Sequence, residues 1–120
     1  MLINGEEAKK LVLEVLADDH ARSILESTLL KAKSVPEITR ECNVPMTSAY
    51  RRVKMLLDAG LLEVERSVVT EDGVKSELYK ASVRSITVRF ELGSLEVDVT
   101  TSVGAAGRMA ELFFSMKGAK

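Results

Sequence analysis

Hydrophobic positions along the chain follow two different periods, and the change falls near Leu61. Before it, apolar side chains recur three and four apart, the spacing of one helical face. Ala8, Leu11, Val12, Val15 and Leu16 predict a first helix over residues 6–17. Asp18 or Asp19 is a good N-cap for a second, on which Ile24, Leu25, Thr28, Leu29 and Ala32 share a face. A third opens at Ser34. Ser34-Val35-Pro36-Glu37 reads as a capping box, in which the serine hydroxyl accepts from the Glu37 N–H and the Glu37 carboxylate reaches back to Ser34. Pro36 sits in the first turn, where its missing N–H costs nothing. Asn43 suits the left-handed backbone that ends a helix sharply, Val44 plugs the turn, and Pro45 starts the fourth helix.

On that fourth helix Ala49, Val53, Leu56, Leu57 and Gly60 fall on one side, and Thr47, Arg51, Lys54 and Asp58 on the other. Ser48 and Tyr50 flank the polar side. From Leu61 the period shortens towards two. Leu62, Val64, Val68-Val69, Val74, Leu78 and Tyr79 predict two strands around Glu71-Asp72-Gly73, and Asp-Gly is a strong hairpin signal. Ile86, Val88, Phe90 and Leu92, then Leu95, Val97 and Val99, predict a second hairpin turning at Gly93-Ser94, with one apolar face that must be covered. Thr100 to Ser102 can cap a last helix over residues 105–116, striped by Met109, Leu112, Phe113 and Met116. Neither of these last two elements is large enough for a core of its own. They fold back on the rest or pair across a dimer.

A short helix, a tight turn and a longer helix with basic and hydroxyl side chains near its start form a helix-turn-helix, and the hairpin directly after it is a wing. The expected architecture is therefore α+β. Residues 1–82 make a mainly helical winged helix-turn-helix DNA-binding domain with its wing hairpin. Residues 83–120 add a β-hairpin and helix as a dimerisation or effector appendage. The side chains expected to meet duplex DNA are Thr47, Ser48, Tyr50, Arg51, Arg52 and Lys54 on the recognition helix, with Arg66 and Lys75 of the wing in support. Arg51 points away from the core and is the better base reader; Arg52 lies closer in, as a phosphate clamp or half of an intramolecular pair. Tyr50 either packs on the sugar-phosphate backbone or covers the wing.

Charge sharpens this reading. The whole chain carries only −1, yet residues 31–60 hold six basic against three acidic side chains, while residues 1–30 hold three against six. Positive charge thus coincides with the turn signals. The wing works the other way, because Glu63, Glu65, Glu71, Asp72 and Glu77 leave it near neutral or acidic. In the second hairpin Glu91, Glu96 and Asp98 repel DNA.

Composition narrows the remaining classes. With 46% hydrophobic and 29% charged residues over 120 positions, a single folded domain with a short appendage is expected. Aromatic residues make up only 4%, so Leu, Val, Ile, Met and Ala must build the core. No run approaches a membrane span, the first residues lack the pattern of a signal peptide, and one cysteine excludes an internal disulfide. A cytoplasmic protein, not associated with membrane, is expected. No Gly-rich phosphate loop, Ser/His/Asp set or matched carboxylate pair is present, so neither enzymatic activity nor a cofactor is expected. Cys42 is read as a small packing residue rather than a redox switch, and His20 as a surface residue in a first helical turn.

The motifs Asp18-Asp19-His20-Ala21-Arg22-Ser23-Ile24-Leu25, Ser34 to Ile38, Thr47-Ser48-Ala49-Tyr50-Arg51-Arg52 and Gly60-Leu61-Leu62 resemble those of ArsR-type winged-helix transcription regulators, particularly their archaeal branch. The resemblance covers roughly residues 18–81. It implies a homodimer on an inverted repeat, typically a repressor released by an effector. The terminal helices are the usual dimer surface, which assigns Leu11, Val15, Met109, Leu112, Phe113 and Met116 to the interface. Metal-sensing members use a Cys-x-Cys motif or Asp/His/Glu clusters. This chain departs from both, with one cysteine and one histidine in all, and no metal site is expected. An effector, if there is one, is an organic ligand, a protein or redox state. Two other readings stay open: a winged-helix module that binds a protein partner, and an effector-sensing domain that has lost its DNA affinity.

Overall fold

A computed structural model describes residues 1–102 of the chain. The helix expected over residues 105–116, with Met109, Leu112, Phe113 and Met116, lies outside them. The elements run α1 (Glu6–Ala17), α2 (Asp19–Ser27), α3 (Val35–Cys42), α4 (Met46–Asp58), β1 (Leu62–Val69), β2 (Lys75–Ala81), β3 (Val83–Glu91) and β4 (Ser94–Thr101). The architecture is α+β, with four helices and two antiparallel hairpins, β1–β2 and β3–β4, among the described residues.

Local signals fix most helix ends. Asp18 both ends α1 and caps α2, its Oδ1 accepting from the His20 and Ala21 amides at 2.9 and 3.2 Å. Ser34 and Glu37 form the capping box, with Ser34 N–H to Glu37 Oε1 at 2.9 Å and Glu37 N–H to Ser34 Oγ at 3.3 Å. Asn43 is left-handed at φ 55°, and Val44 behind it is buried. At the end of α4, Gly60 takes φ 74° while the Gly60 and Leu61 amides donate back to Leu57 and Leu56 carbonyls, both at 3.0 Å. Those two bonds make a Schellman motif, and the buried Leu56 and Leu61 side chains close it.

One expected helix is shorter than its apolar spacing suggests. The pattern on α2 runs to Ala32, but the helix stops at Ser27, leaving Leu29 and Leu30 47% and 90% exposed. The backbone there is needed elsewhere. Lys33 exchanges both its backbone bonds with Tyr79, at 2.9 and 2.8 Å, and the Ala81 amide donates to the Thr28 carbonyl at 3.1 Å. The chain before α3 thus serves as a short partner for the wing strand β2.

The core gathers Val12, Val15, Ala21, Ile24, Ile38, Val53 and Leu56 from the four helices with Leu61 and Leu62 at the start of the wing. Val97 and Val99 of β4 belong to the same cluster, 0% and 1% exposed. The second hairpin therefore folds back at least by its β4 face. Residues before α1 help to hold it there: the Ile3 amide donates to the Val97 carbonyl at 2.8 Å, and the Val99 amide to the Met1 carbonyl at 2.9 Å.

A single residue, Ser82, joins the two hairpins. It is 3% exposed and fully satisfied. Its hydroxyl donates to the Gly60 carbonyl at 2.9 Å, its amide to Leu61 at 2.9 Å, and its carbonyl accepts from Ser102 at 3.2 Å.

Candidate nucleic-acid interface

The turn between α3 and α4 sets the site. Left-handed Asn43, buried Val44 and Pro45 bring α4 out at a fixed angle, and Ala49, Val53 and Leu56 anchor its inner side in the core. Its outer side carries Thr47, Tyr50, Arg51 and Lys54, all exposed, with Ser48 half-buried beside them. No side chain caps the start of α4. Its first amides are therefore left as donors, which together with the helix dipole favours an anion such as a phosphate.

The basic side chains are not equivalent. Arg51 makes no hydrogen bond or ion pair among the described residues. Lys54 pairs with Asp58 at 3.2 Å on an open surface, where such a pair is readily exchanged. Arg52 turns inward. Its Nε donates to both carboxylate oxygens of Asp18, at 2.9 and 3.1 Å, and the two side chains are only 13% and 22% exposed. Of the two roles open to Arg52, the structure shows the intramolecular pair. Burial raises the affinity of Asp18 for a proton. Hydrogen bonds from Arg52 and from the Ala21 and His20 amides, with the guanidinium charge, outweigh it and hold the carboxyl below its ordinary range.

The wing stands beside α4 with its charges mostly compensated. Arg66 pairs with Glu65 at 2.9 Å, and Lys80 lies 3.8 Å from the same carboxylate. Glu65 occupies a register shift between Val64 and Arg66, where β1 has one residue more than β2. Lys75 is exposed near the turn. Between the β1–β2 hairpin and α4 lies a shallow cleft lined by Val35, Tyr50, Lys75, Ser76, Glu77 and Tyr79. Tyr79, which the periodicity marks only as a strand residue, donates its hydroxyl to Glu77 at 3.2 Å. Burial, that bond and the Glu77 charge, with Tyr50 nearby, push the phenol above its ordinary value. Its position in this cleft comes from the backbone pairing with Lys33, which no local pattern announces.

The residues assigned to a dimer surface separate. Leu11 is half-buried on the outer side of α1, in a shallow depression with Glu7, Lys10 and Glu14. Val15 is a correction: it is 0% exposed and packed in the core, so it has no surface to offer a partner. Met109, Leu112, Phe113 and Met116 lie outside the described residues. Cys42 is half-buried against the core and His20 is exposed. Among the described residues no group of three or more His, Cys, Asp or Glu is placed to hold a metal ion, and no helix is long and apolar enough to cross a membrane.

No curated protein matches the chain in sequence. Solved structures that resemble it weakly include the following two. HlyU from Vibrio cholerae N16961 is 14% identical, with 92% of this chain and 91% of that one covered and a TM-score of 0.42. A zinc-bound manganese uptake regulator is 17% identical, with 88% and 83% covered and a TM-score of 0.43. Residues 16–65, from the end of α1 through α2, α3 and α4 into β1, match the family described as helix-turn-helix domain.

Proposed function

We propose that the chain is a transcription regulator of the ArsR type, a cytoplasmic homodimer that represses by placing α4 in the major groove of duplex DNA. One observation carries this reading: Thr47, Tyr50, Arg51 and Lys54 project together from the exposed side of a helix whose other side is fixed in the core. Thr47, Ser48 and the uncapped amides would meet phosphates, and Arg51 would reach a base edge. Arg66 and Lys75 would track the backbone beside the groove, with Arg66 first released from Glu65. No catalytic step, cofactor or metal belongs to this reading.

The test is binding to the DNA upstream of its own gene at two salt concentrations. Each phosphate contact releases counterions, so affinity should fall steeply with salt. No binding in low salt would overturn the reading. The engagement of Arg66 and Lys80 by Glu65 favours a second one, in which the same fold docks on a protein partner and the wing takes no part in DNA contact.

A further inference from the structure

The second hairpin outgrows the core that supports it. Its apolar face begins under cover, with Val97 and Val99 buried and Ile86 half-buried, then emerges along β3. Val88 is 39% exposed, Phe90 72% and Leu92 at the turn 99%. Large apolar side chains in a continuous exposed row are not the usual end of a strand in a lone domain.

Among the described residues, the main chain of the same strand is also unpartnered on one side. There β4 is flanked by β3 and by the residues before α1, whereas β3 pairs with β4 alone. Which β3 groups face outward follows from two facts. The two-residue turn at Leu92-Gly93 is closed by Glu91 and Ser94, a hydrogen-bonded pair in such hairpins, so polar groups of Glu91, Arg89 and Thr87 face β4. Independently, the Val97 carbonyl and the Val99 amide are spent on Ile3 and Met1, so their opposite numbers Val88 and Ile86 cannot be bonded to them. The N–H and C=O groups of Ile86, Val88 and Phe90 therefore point away from the hairpin, from the residues that also carry the exposed apolar row.

We infer that a second copy of the chain docks here, β3 against β3 in antiparallel register about Val88, an interface that rests on the homodimeric reading above. The sequence of the strand is self-complementary about that residue. Val88 meets itself, Ile86 meets Phe90 on the apolar face, Thr87 meets Arg89 and Ser85 meets Glu91 on the other, and no charge directly opposes its like. An edge strand needs a strand to satisfy it. The sequence of residues 103–120 opens Val-Gly-Ala-Ala-Gly and continues with apolar residues at helical spacing, a poor strand former. The result is one sheet continuous across the two-fold axis, unlike a dimer held by terminal helices.

The mass of the full chain in solution, measured by light scattering at micromolar concentration, tests this with four variants. Wild type should run at twice the chain mass. Phe90→Lys should run as a folded monomer with an unchanged circular-dichroism spectrum, because the ring is mostly exposed within one chain, and should melt lower than the dimer, whose association adds stability. In a Cys42→Ser background, Val88→Cys should form a disulfide-linked dimer on mild oxidation, since facing residues of a bonded pair sit about 5.5 Å apart. Leu92→Cys, more exposed but far from the axis, should not. A monomeric wild type overturns the inference, and a lower melting temperature for Phe90→Lys in that monomer would show the chain's own tail on this face. A dimer that survives Phe90→Lys and dissociates on Leu11→Glu also overturns it, in favour of α1. A dimer that binds no DNA sinks the DNA-binding reading and leaves the interface standing; a monomer that binds its operator sinks the interface and the homodimer and leaves DNA binding by α4 standing.

Discussion

Arg52 on the recognition helix and Asp18 at the start of α2 are 34 residues apart in sequence and 2.9 Å apart in space. Asp18 is already the N-cap of α2, so one carboxylate fixes the start of one helix and the roll of another. Of the two roles the sequence leaves open to this guanidinium, phosphate clamp or intramolecular pair, the second is formed, and it helps to set the direction in which Arg51 and Tyr50 face.

Replacing Arg52 by Ala should cost about 1–3 kcal/mol in stability, since it removes a charge-assisted hydrogen bond from a half-buried acceptor. Urea denaturation measures it. Arg52→Lys should recover only part, because an ammonium cannot reproduce the Nε contact to both oxygens. A variant as stable as wild type would show that the pair contributes nothing.

Acid should unfold the protein partly through two carboxylates. Asp18 is depressed as described, and Glu37 is depressed by the Ser34 amide, against burial, with help from the Ser34 hydroxyl and the charges of Lys31 and Arg40. Groups whose folded values lie below their unfolded ones stabilise the fold above the unfolded value, about 4. That contribution is lost as the pH falls through the folded values. Asp18→Asn keeps a capping side chain but should flatten the decline of stability below pH 4, measured as urea midpoint against pH.

Arg51→Ala is expected to leave the melting temperature unchanged and to cost about 1–3 kcal/mol of DNA binding, with relaxed preference at one base pair. Competition between operator variants reads this out. Unaltered affinity would remove Arg51 from the interface.

Ser34→Ala should cost about 1 kcal/mol of stability through loss of the capping box. The same variant should shift the α3–α4 turn little, because Asn43 and Val44 hold its other end.

Glu65→Gln should raise DNA affinity several-fold and steepen its salt dependence, by freeing Arg66 and lightening the charge beside Lys80. Fluorescence anisotropy at two ionic strengths measures both. No change would mean that the wing stands clear of the DNA.

The parts of the fold written in neighbouring residues were legible in the sequence. The capping box at Ser34, left-handed Asn43, the span of α1 and the exposed row Thr47, Arg51 and Lys54 each depend on a few adjacent side chains, and each is present. What was not legible depends on distant partners. The apolar pattern of α2 runs past Ser27, but Lys33 must lie extended to bond Tyr79, and no local signal says so. Val15 shares a helical stripe with Leu11, yet only the arrangement of three other helices decides which of them is enclosed. The fate of Arg52 was equally open, because a long side chain can swing either way until its partner is in place. Tyr79 reached the candidate site through the same β2 pairing that cut α2 short.

Ser82 gives the molecule a mechanical property. The last turn of the recognition helix and the root of the second hairpin hang from this one enclosed residue, by its hydroxyl and its amide. With no slack segment between the hairpins, a twist applied to β3 is delivered to Gly60 and Leu61 or else breaks those bonds. Whatever grips the outer hairpin therefore pulls on the trailing end of α4, the helix proposed to face DNA.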